Sequence, residues 1–304
     1  MFMRDFLCRI PPAAGCVGLG FMGLGTLLRS YGAGYLWVCT AVGLLCLLPV
    51  LARLLLPGEG KKTGSDLLAL STLAGSPMAW MFFAAALKTE CACGWAVWIW
   101  ALAVAWHLAI LVLFSCRLIT ARPGLNAVRG SWLLVYVGIA AAPITSAAFS
   151  AQGLGRALLI FAALRAAVIL PLVCIADRRA EMPAAQRPLF CISTAPVSIC
   201  LVGYLRAFDA PAPKLVTVLA VLSVLLYVPA LIRAARHLRG PFAPTLAALT
   251  FPFVISASAL KQSAAFLSLA GQPALKALIL LEIVVAAALC AYVFLRFIRQ
   301  YAKQ

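Results

Sequence analysis

The sequence predicts an all-α, polytopic membrane protein of ten transmembrane helices. Of its 304 residues, 65% are hydrophobic and 11% are charged, whereas a soluble globular domain is about 25% charged. Apolar runs long enough to cross a bilayer, which takes roughly 20 residues, follow one another along nearly the whole chain. Positive charges also cluster in every second loop between these runs. These observations predict a single transmembrane domain over residues 1–304, with no room for a separate soluble domain.

The boundaries of the ten helices follow from hydropathy, with turn-forming residues marking the loops. The first apolar run comes after Arg4 and Arg9 and is rich in glycine. Because it continues into a full span, we interpret it as a helix rather than a cleaved signal peptide. The predicted spans lie near residues 11–28, 34–56, 66–87, 92–119, 125–150, 155–176, 187–208, 213–235, 242–268 and 273–298.

The distribution of Lys and Arg predicts the orientation of these helices. With the spans above, 17 of the 25 basic residues fall at the termini and in four loops on one side of the membrane, and six fall on the other side. Arg165 and Lys261 lie within spans. The positive-inside rule then predicts a bacterial inner-membrane protein with both termini in the cytoplasm. Basic loops facing an anionic lipid leaflet account for the net charge of +17, so we expect no nucleic-acid partner.

Residues that could support enzyme chemistry or hold a cofactor form no recognisable pattern. Most of the eleven cysteines fall inside or at the edges of apolar spans without metal-ligand spacing, which is typical of packing residues. His107 falls within a span and His237 in a loop, so the two histidines cannot hold a haem as a pair. We therefore expect neither a metal nor a cofactor, and we do not expect an enzyme.

Four prolines recur at a common depth in alternate predicted spans. Pro77, Pro143, Pro196 and Pro252 follow one another at spacings that fit one helical hairpin per repeat. From a rise of about 1.5 Å per residue, each lies near the middle of a hydrocarbon core about 30 Å thick. Proline kinks a helix, and broken backbone at this depth is tolerated where it lines a cavity or is buried in protein. Prolines are also ordinary in membrane helices, but their common depth favours a pore lining.

Glycines occupy this depth in the first predicted span. They form the pattern Gly18-x-Gly20-x-x-Gly23, which marks a dinucleotide site only when a strand precedes it in a βαβ unit. No such strand is predicted, so we expect close helix packing at the pore wall. The predicted pore-lining or kink residues are Gly18, Gly20, Gly23, Pro77, Pro143, Pro196, Thr250 and Pro252.

Several short segments resemble one family of membrane proteins, the TehA and slow-type plant anion channel family, also called the tellurite-resistance/dicarboxylate transporter family. The resemblance extends over about residues 10–270. The segments that carry it are Ile10-Pro11-Pro12-Ala13-Ala14-Gly15, Pro123-Gly124-Leu125, Ser193-Thr194-Ala195-Pro196, Pro241-Phe242 and Thr250-Phe251-Pro252.

The resemblance implies five helical hairpins around a central pore, with the odd-numbered helices inside, and assembly as a homotrimer. It also implies that a phenylalanine of the ninth helix plugs the pore, and Phe251 occupies that position of the motif. Pro252 directly follows Phe251, as in the plant channels, whereas the bacterial TehA type carries a smaller residue there.

Two ionisable residues fall deep within even-numbered spans. Arg165 and Glu282 have a similar predicted depth, and a charge at that depth is costly without a partner. We predict that they form a buried charge pair, within or between protomers, and an ion relay is the alternative. His107 is interpreted as a hydrogen-bonded packing residue, and Lys261 as a cation near the outer end of the ninth span.

Two functions fit a polytopic protein of this kind. The first is a channel for small anions, since an uncharged lining of small residues can pass ions through weak, multi-site contacts. The alternative is a proton-coupled carrier for C4-dicarboxylates, sulfite or tellurite. A carrier would favour a protonatable group facing the binding site, and the sequence places no strong one on an inner helix. The expected partners are therefore small inorganic or carboxylate anions and the lipid bilayer.

The charge distribution makes a prediction about topology. Reporter fusions placed after Arg178 and after Arg239 should both report the cytoplasmic side, because basic loops are retained there during insertion. A fusion after Lys276 should report the opposite side and serves as the control. A fusion after Arg178 that reports the outside would contradict the ten-helix arrangement.

Overall fold

The computed structural model describes residues 2–122, 124–179 and 181–302, which form α-helices, 3₁₀-helices and turns without a strand. Pro123, one of the residues that carry the resemblance, lies outside this part of the chain. The α-helices are α1 Phe2–Arg9, α2 Ala14–Leu28, α3 Ala33–Leu55, α4 Glu59–Ser65, α5 Leu67–Leu73, α6 Gly75–Cys91, α7 Ala96–Ala121, α8 Trp132–Tyr136, α9 Ala141–Thr145, α10 Gln152–Arg179, α11 Ala195–Ala207, α12 Pro213–His237, α13 Phe251–Phe266 and α14 Pro273–Ala302. The 3₁₀-helices are Arg29–Tyr31, Leu125–Ala127, Gly138–Ala140, Ser146–Phe149, Ala184–Thr194 and Pro244–Leu249.

Long, unbroken helices form an outer layer. These outer helices are α3, α7, α10, α12 and α14, and the share of buried residues in their most apolar stretches is between 17 and 39%. Large apolar side chains such as Leu102, Leu164 and Leu225 are exposed on them. Because water would not tolerate such a surface, the outer layer is the one that faces lipid.

The inner segments are broken near their middle. In three of them, spanning Leu67–Cys91, Ala184–Ala207 and Pro244–Phe266, the buried share is between 72 and 89%. In the last two, a 3₁₀-helix ends where an α-helix begins, and Pro196 or Pro252 occupies the first turn of that α-helix. Proline is tolerated there because the first-turn N–H groups have no intrahelical partner. The prolines therefore start new helices rather than bending continuous ones.

Within the described residues, eight helical segments are long and apolar enough to cross a membrane. The two other predicted spans fall on shorter elements. The first coincides with α2, which has 15 residues, and the fifth with the interrupted run from α8 to the 3₁₀-helix Ser146–Phe149. Both runs are buried almost throughout, so protein surrounds them where their backbone is short or broken.

The described ends of the chain lie on one face of the molecule, which we call the termini face, and the opposite face is the far face. Arg53 at the end of α3 donates hydrogen bonds to the carbonyl of Ile10 and to Glu59. The hydrogen bond from Arg53 holds the pKa of Glu59 below its ordinary value. At the other end of the chain, the ring of Phe242 contacts that of Phe297 in α14, with 5.1 Å between centroids. These contacts tie the start of the first inner segment and that of the last to the outer layer.

Glycines allow the inner segments to approach their neighbours closely. A side chain at Gly18 would meet the side chain of Leu47 in α3, and one at Gly15 would meet Ser76 in α6. At Gly130, an added Cβ would lie 2.0 Å from the carbonyl oxygen of Leu189. A backbone atom cannot move aside as a side chain can. Of these three glycines, Gly130 is therefore the one at which an added side chain would be tolerated least.

The Gly130 contact makes a prediction about stability. Gly130→Ala should lower the thermal unfolding temperature markedly, since overpacking a buried contact costs about 1–3 kcal/mol or more. Gly153→Ala is the matched control, because nothing lies within 4 Å of that position and alanine favours the α10 helix. Unfolding of both purified variants in detergent, followed by intrinsic fluorescence, measures the difference. Equal midpoints for the two variants would contradict the close approach at Gly130.

Candidate functional site

A cavity of about 390 Å³ lies between the far-face ends of the inner segments, and we call it the far-face cavity. Every inner segment contributes to its wall, which places the cavity on the central axis of the bundle. Representative wall residues are Gly23 from α2, Phe82 from α6, Thr145 from α9, Val202 from α11 and Val254 from α13.

A second, much smaller cavity lies on the termini side of the first, and we call it the termini-face cavity. Its volume is about 10 Å³, which is room for roughly one water molecule. Apolar side chains from four inner segments, including Leu19, Leu134, Leu189 and Ala248, form much of its wall. In the described residues, the axis is therefore wide on the far-face side and nearly closed on the termini side.

Phe251 borders both cavities and is 2% exposed. Its ring makes an edge contact with Phe82, with 6.0 Å between centroids. A Cβ added to Gly23 would lie 3.2 Å from two carbons of the ring. The ring thus packs between α2 and α6 on the axis, and a side chain at Gly23 would press against it.

The backbone before Phe251 is held by side-chain hydrogen bonds. Thr250 has φ −101° and ψ −91°, outside the helical region, and joins the 3₁₀-helix Pro244–Leu249 to α13. Its hydroxyl donates to the carbonyl of Cys16 in α2 at 3.1 Å and to that of Ala247 at 2.7 Å. Gly20 allows this approach, since a Cβ there would lie 2.6 Å from the Cβ of Thr250. The position of Phe251 therefore depends on α2 as well as on its own helix.

Hydroxyl groups join α13 to its neighbours behind the axis. The Oγ of Ser256 lies 3.1 Å from that of Ser198 and 3.2 Å from Oγ1 of Thr194, and Ser198 in turn contacts Ser223 at 2.6 Å. These groups are buried and satisfy one another, which links α11, α12 and α13 without any formal charge.

Among the described residues that line the far-face cavity, the charged ones are all basic. They are Arg29, Arg206 and Lys261, and each lies at the far-face end of its segment. The wall around Phe251 itself is built of small, apolar and hydroxyl side chains. An anion in the far-face cavity would therefore meet positive charge at the mouth and an uncharged wall farther in.

The structure divides the predicted pore-lining residues into three groups. Gly23, Phe251 and Pro252 line one or both cavities, and Gly20 and Thr250 contact each other next to them. Gly18 faces α3 and not the axis. The remaining predicted residues belong to the helix-start regions of the broken segments and do not line either cavity; they are Pro77, Pro143 and Pro196.

Most residues that line the far-face cavity were not predicted as lining residues, and three of them matter most for its chemistry: Phe82, Arg29 and Arg206. Phe82 was missed because one aromatic residue in a membrane helix has no distinguishing pattern. For Arg29 and Arg206, the distribution of basic residues predicts only the side of the membrane, not a position at a pore. Their closeness to the ends of inner segments was a usable signal, because such ends surround any central pore.

The predicted pair between Arg165 and Glu282 is not formed within the described chain. Arg165 is exposed on α10, where its guanidinium lies 5.2 Å from the ring of Phe161. Glu282 is 2% exposed on α14, interacts with Tyr227 of α12, and its Oε2 has no hydrogen-bond partner. Spacing along the chain gave the depth of each residue but not the direction in which its side chain points. A charge pair between two protomers would require Arg165 of one to reach the carboxyl group of Glu282 in the other, and that group is buried within its own protomer.

His107 packs behind the inner segments. It is fully buried, and its Nε2 lies 3.1 Å from the carbonyl oxygen of Val135. No group of three or more His, Cys, Asp or Glu side chains that could hold a metal ion occurs in the described part of the chain.

Comparison with known proteins gives one result that covers nearly the whole chain. A family model described as voltage-dependent anion channel matches residues 9–298. No curated protein matches the chain. The match includes all the inner segments, both cavities and Phe251.

The separation of Arg165 from Glu282 makes a prediction about stability. In a double-mutant cycle with Arg165→Ala and Glu282→Gln, the effects on thermal unfolding should add to within about 0.5 kcal/mol, as for residues without shared contacts. The cycle is measured on purified protein in the same detergent. A coupling energy above about 1 kcal/mol would show that the two charges pair after all, in the assembled protein.

Proposed function

Because the chain belongs to the voltage-dependent anion channel family, we propose that it conducts small monovalent anions through the axis between its inner segments. We propose that Phe251 is the gate. The family makes the protein an anion channel or transporter, and the geometry around this residue supports the channel mechanism. The observation that carries the proposal is that Phe251 borders both cavities and fills the axis between them.

An uncharged wall suits rapid passage of anions. An ion that binds tightly to a fixed charge in a narrow pore leaves slowly, whereas hydroxyl groups and small side chains offer weak contacts. The start of α13 adds a second feature, because the residue before it, Thr250, is not helical and the helix begins at Phe251 itself. A helix N-terminus carries a partial positive charge, so this helix start favours anions over cations without a charged side chain.

The gate works by steric exclusion. An anion would have to pass through the space that the Phe251 ring occupies between Gly23 and Phe82. Rotation of the side chain would join the far-face and termini-face cavities, while the hydroxyl network behind α13 keeps the helix in place. The backbone can therefore stay fixed while one side chain moves.

We propose further that the chain acts as one transmembrane domain in a bacterial inner membrane, with the termini face in the cytoplasm, and that it assembles as a homotrimer. Arg165 supports the assembly. It is exposed on the outer layer near the middle of α10, where lipid would leave its charge unsolvated. A neighbouring protomer over this part of α10 would remove the charge from lipid.

The alternative function is a proton-coupled carrier for C4-dicarboxylates, sulfite or tellurite. The observation that favours it is Glu282, a buried carboxyl group with an oxygen that lacks a partner. Glu282 belongs to the outer layer, however, and lines neither cavity. A proton-binding group outside the substrate path would have to act through α13, so we place the channel first.

Replacing the gate residue gives a direct test. Phe251→Ala should raise nitrate or chloride current at least tenfold, because removal of the ring joins the two cavities across an uncharged wall. Current is measured in planar bilayers with matched amounts of folded protein. Currents that are equal for Phe251→Ala and the wild type would remove the gate assignment.

Phe253→Ala is the matched control. Phe253 is also a fully buried phenylalanine of α13, but its ring contacts Tyr227 and lines neither cavity. The substitution should destabilise the protein by about 3–5 kcal/mol while leaving the current of each folded molecule within about twofold. A comparable rise of current in both variants would indicate general loosening of the helix rather than an opened gate.

A further inference from the structure

The far-face cavity has more positive charge than its surroundings balance. Arg29, Arg206 and Lys261 line it, and no Asp or Glu is among the described residues of its wall. Arg29 has a counter-ion, since it forms a salt bridge with Glu90 just outside the cavity. The charge of Arg29 is therefore neutralised by a carboxylate. The contacts of the other two cations, Arg206 and Lys261, decide which ions the cavity can bind.

Arg206 and Lys261 have only neutral hydrogen-bond acceptors among the described residues. The Nε of Arg206 donates to the amide oxygen of Gln262 at 2.8 Å. The ammonium of Lys261 donates to the hydroxyl of Ser30 and to the carbonyl of Leu27, and it lies 4.3 Å from the ring centroid of Tyr31. These contacts orient both side chains but leave both charges uncompensated.

Both cations border the same cavity at its mouth. Gln262, which accepts from Arg206, follows Lys261 in α13, so consecutive residues of one helix help to hold both side chains at the cavity. Arg29 is also near enough to Arg206 for the two charges to interact. Concave walls of low dielectric constant concentrate such a field, which attracts ions of opposite charge.

We propose that the far-face cavity contains a binding site for small divalent anions, formed by Arg206 and Lys261 with Ser258 and Gln262 beside them. Two uncompensated cations balance one divalent anion, whereas a monovalent anion leaves one of them unbalanced. The cavity of about 390 Å³ has room for a sulfate ion or a short dicarboxylate. The inference rests on the proposed function in one respect, namely that the site opens into the same pore.

A divalent anion held here should block the pore rather than pass through it. The free energy needed to take an ion out of water rises with the square of its charge, and the wall at Phe251 offers no cation in return. Monovalent anions lose less hydration free energy when they enter the uncharged stretch around Phe251. They are also bound less tightly by the two cations at the mouth. The same two residues would therefore admit monovalent anions and retain divalent ones.

Binding is tested first, without any need for current. Calorimetric titration of sulfate, succinate and nitrate into purified wild-type protein should show both divalent anions binding at least tenfold more tightly than nitrate. The double variant Arg206→Gln, Lys261→Gln should weaken sulfate binding at least tenfold. Tighter binding of sulfate than succinate would assign the site to inorganic oxyanions, and the reverse order to dicarboxylates.

Lys276→Gln is the matched control, because it removes an exposed cation on the same face that does not line the cavity. It should change sulfate affinity by less than twofold. Thermal unfolding midpoints near that of the wild type establish that the variants are folded. Sulfate affinity that is equal in the double variant and the wild type overturns the site, as does nitrate binding as tight as sulfate binding.

Block is tested next, with sulfate added to each side of a planar bilayer that carries nitrate current. Sulfate should reduce the current from the far-face side only, and the double variant should need at least ten times more sulfate for half block. Equal block from both sides overturns the placement of the site. If the wild type binds sulfate but conducts no nitrate, the proposed channel function fails while the binding site stands.

Discussion

The architecture depends on one constraint, which is that a broken backbone inside a bilayer needs protein around it. Each break in an inner segment exposes N–H and C=O groups that lipid cannot satisfy. An unbroken helix satisfies its own backbone and can face lipid with apolar side chains, as α7 does with Leu102. The division into an inner and an outer layer therefore follows from which segments are broken. The breaks also end helices at mid-depth, and the far-face cavity lies between the helices that begin there.

The space available to Phe251 is fixed by the residues around it rather than by the ring itself. Gly23 supplies a surface without a side chain, Phe82 supplies an edge contact, and Thr250 anchors the preceding turn to the carbonyl of Cys16. A larger residue at position 23 would leave no room for the ring in its observed position. The first inner segment thus contributes to this site through its glycines, which leave room for Thr250 and Phe251.

Much of this fold could be predicted from the sequence, because hydropathy reports directly on the length and order of the apolar segments. The family resemblance singled out Phe251 as a gate, which stays a prediction; the structure places this residue at the start of α13, directly after the non-helical Thr250. Directions around a helix axis were harder to predict. Gly18 was expected at the pore and faces α3, and Arg165 was paired with Glu282 although their side chains point to different surroundings. The positive charges at the cavity mouth could not be predicted for a related reason. Knowing on which side of the membrane a basic residue falls does not show whether it lies in a loop or lines a pore.

The unequal size of the two cavities has an electrical consequence. On the far-face side, Phe251 borders about 390 Å³ of space with cations at its mouth, whereas the space on the other side is about 10 Å³ and has largely apolar walls. If the ring is the gate that we propose, its displacement would leave the supply of ions to the narrowest point different in the two directions. The open protein should behave as a rectifier, with a larger anion flux from the wide entrance than from the narrow one under equal and opposite voltages.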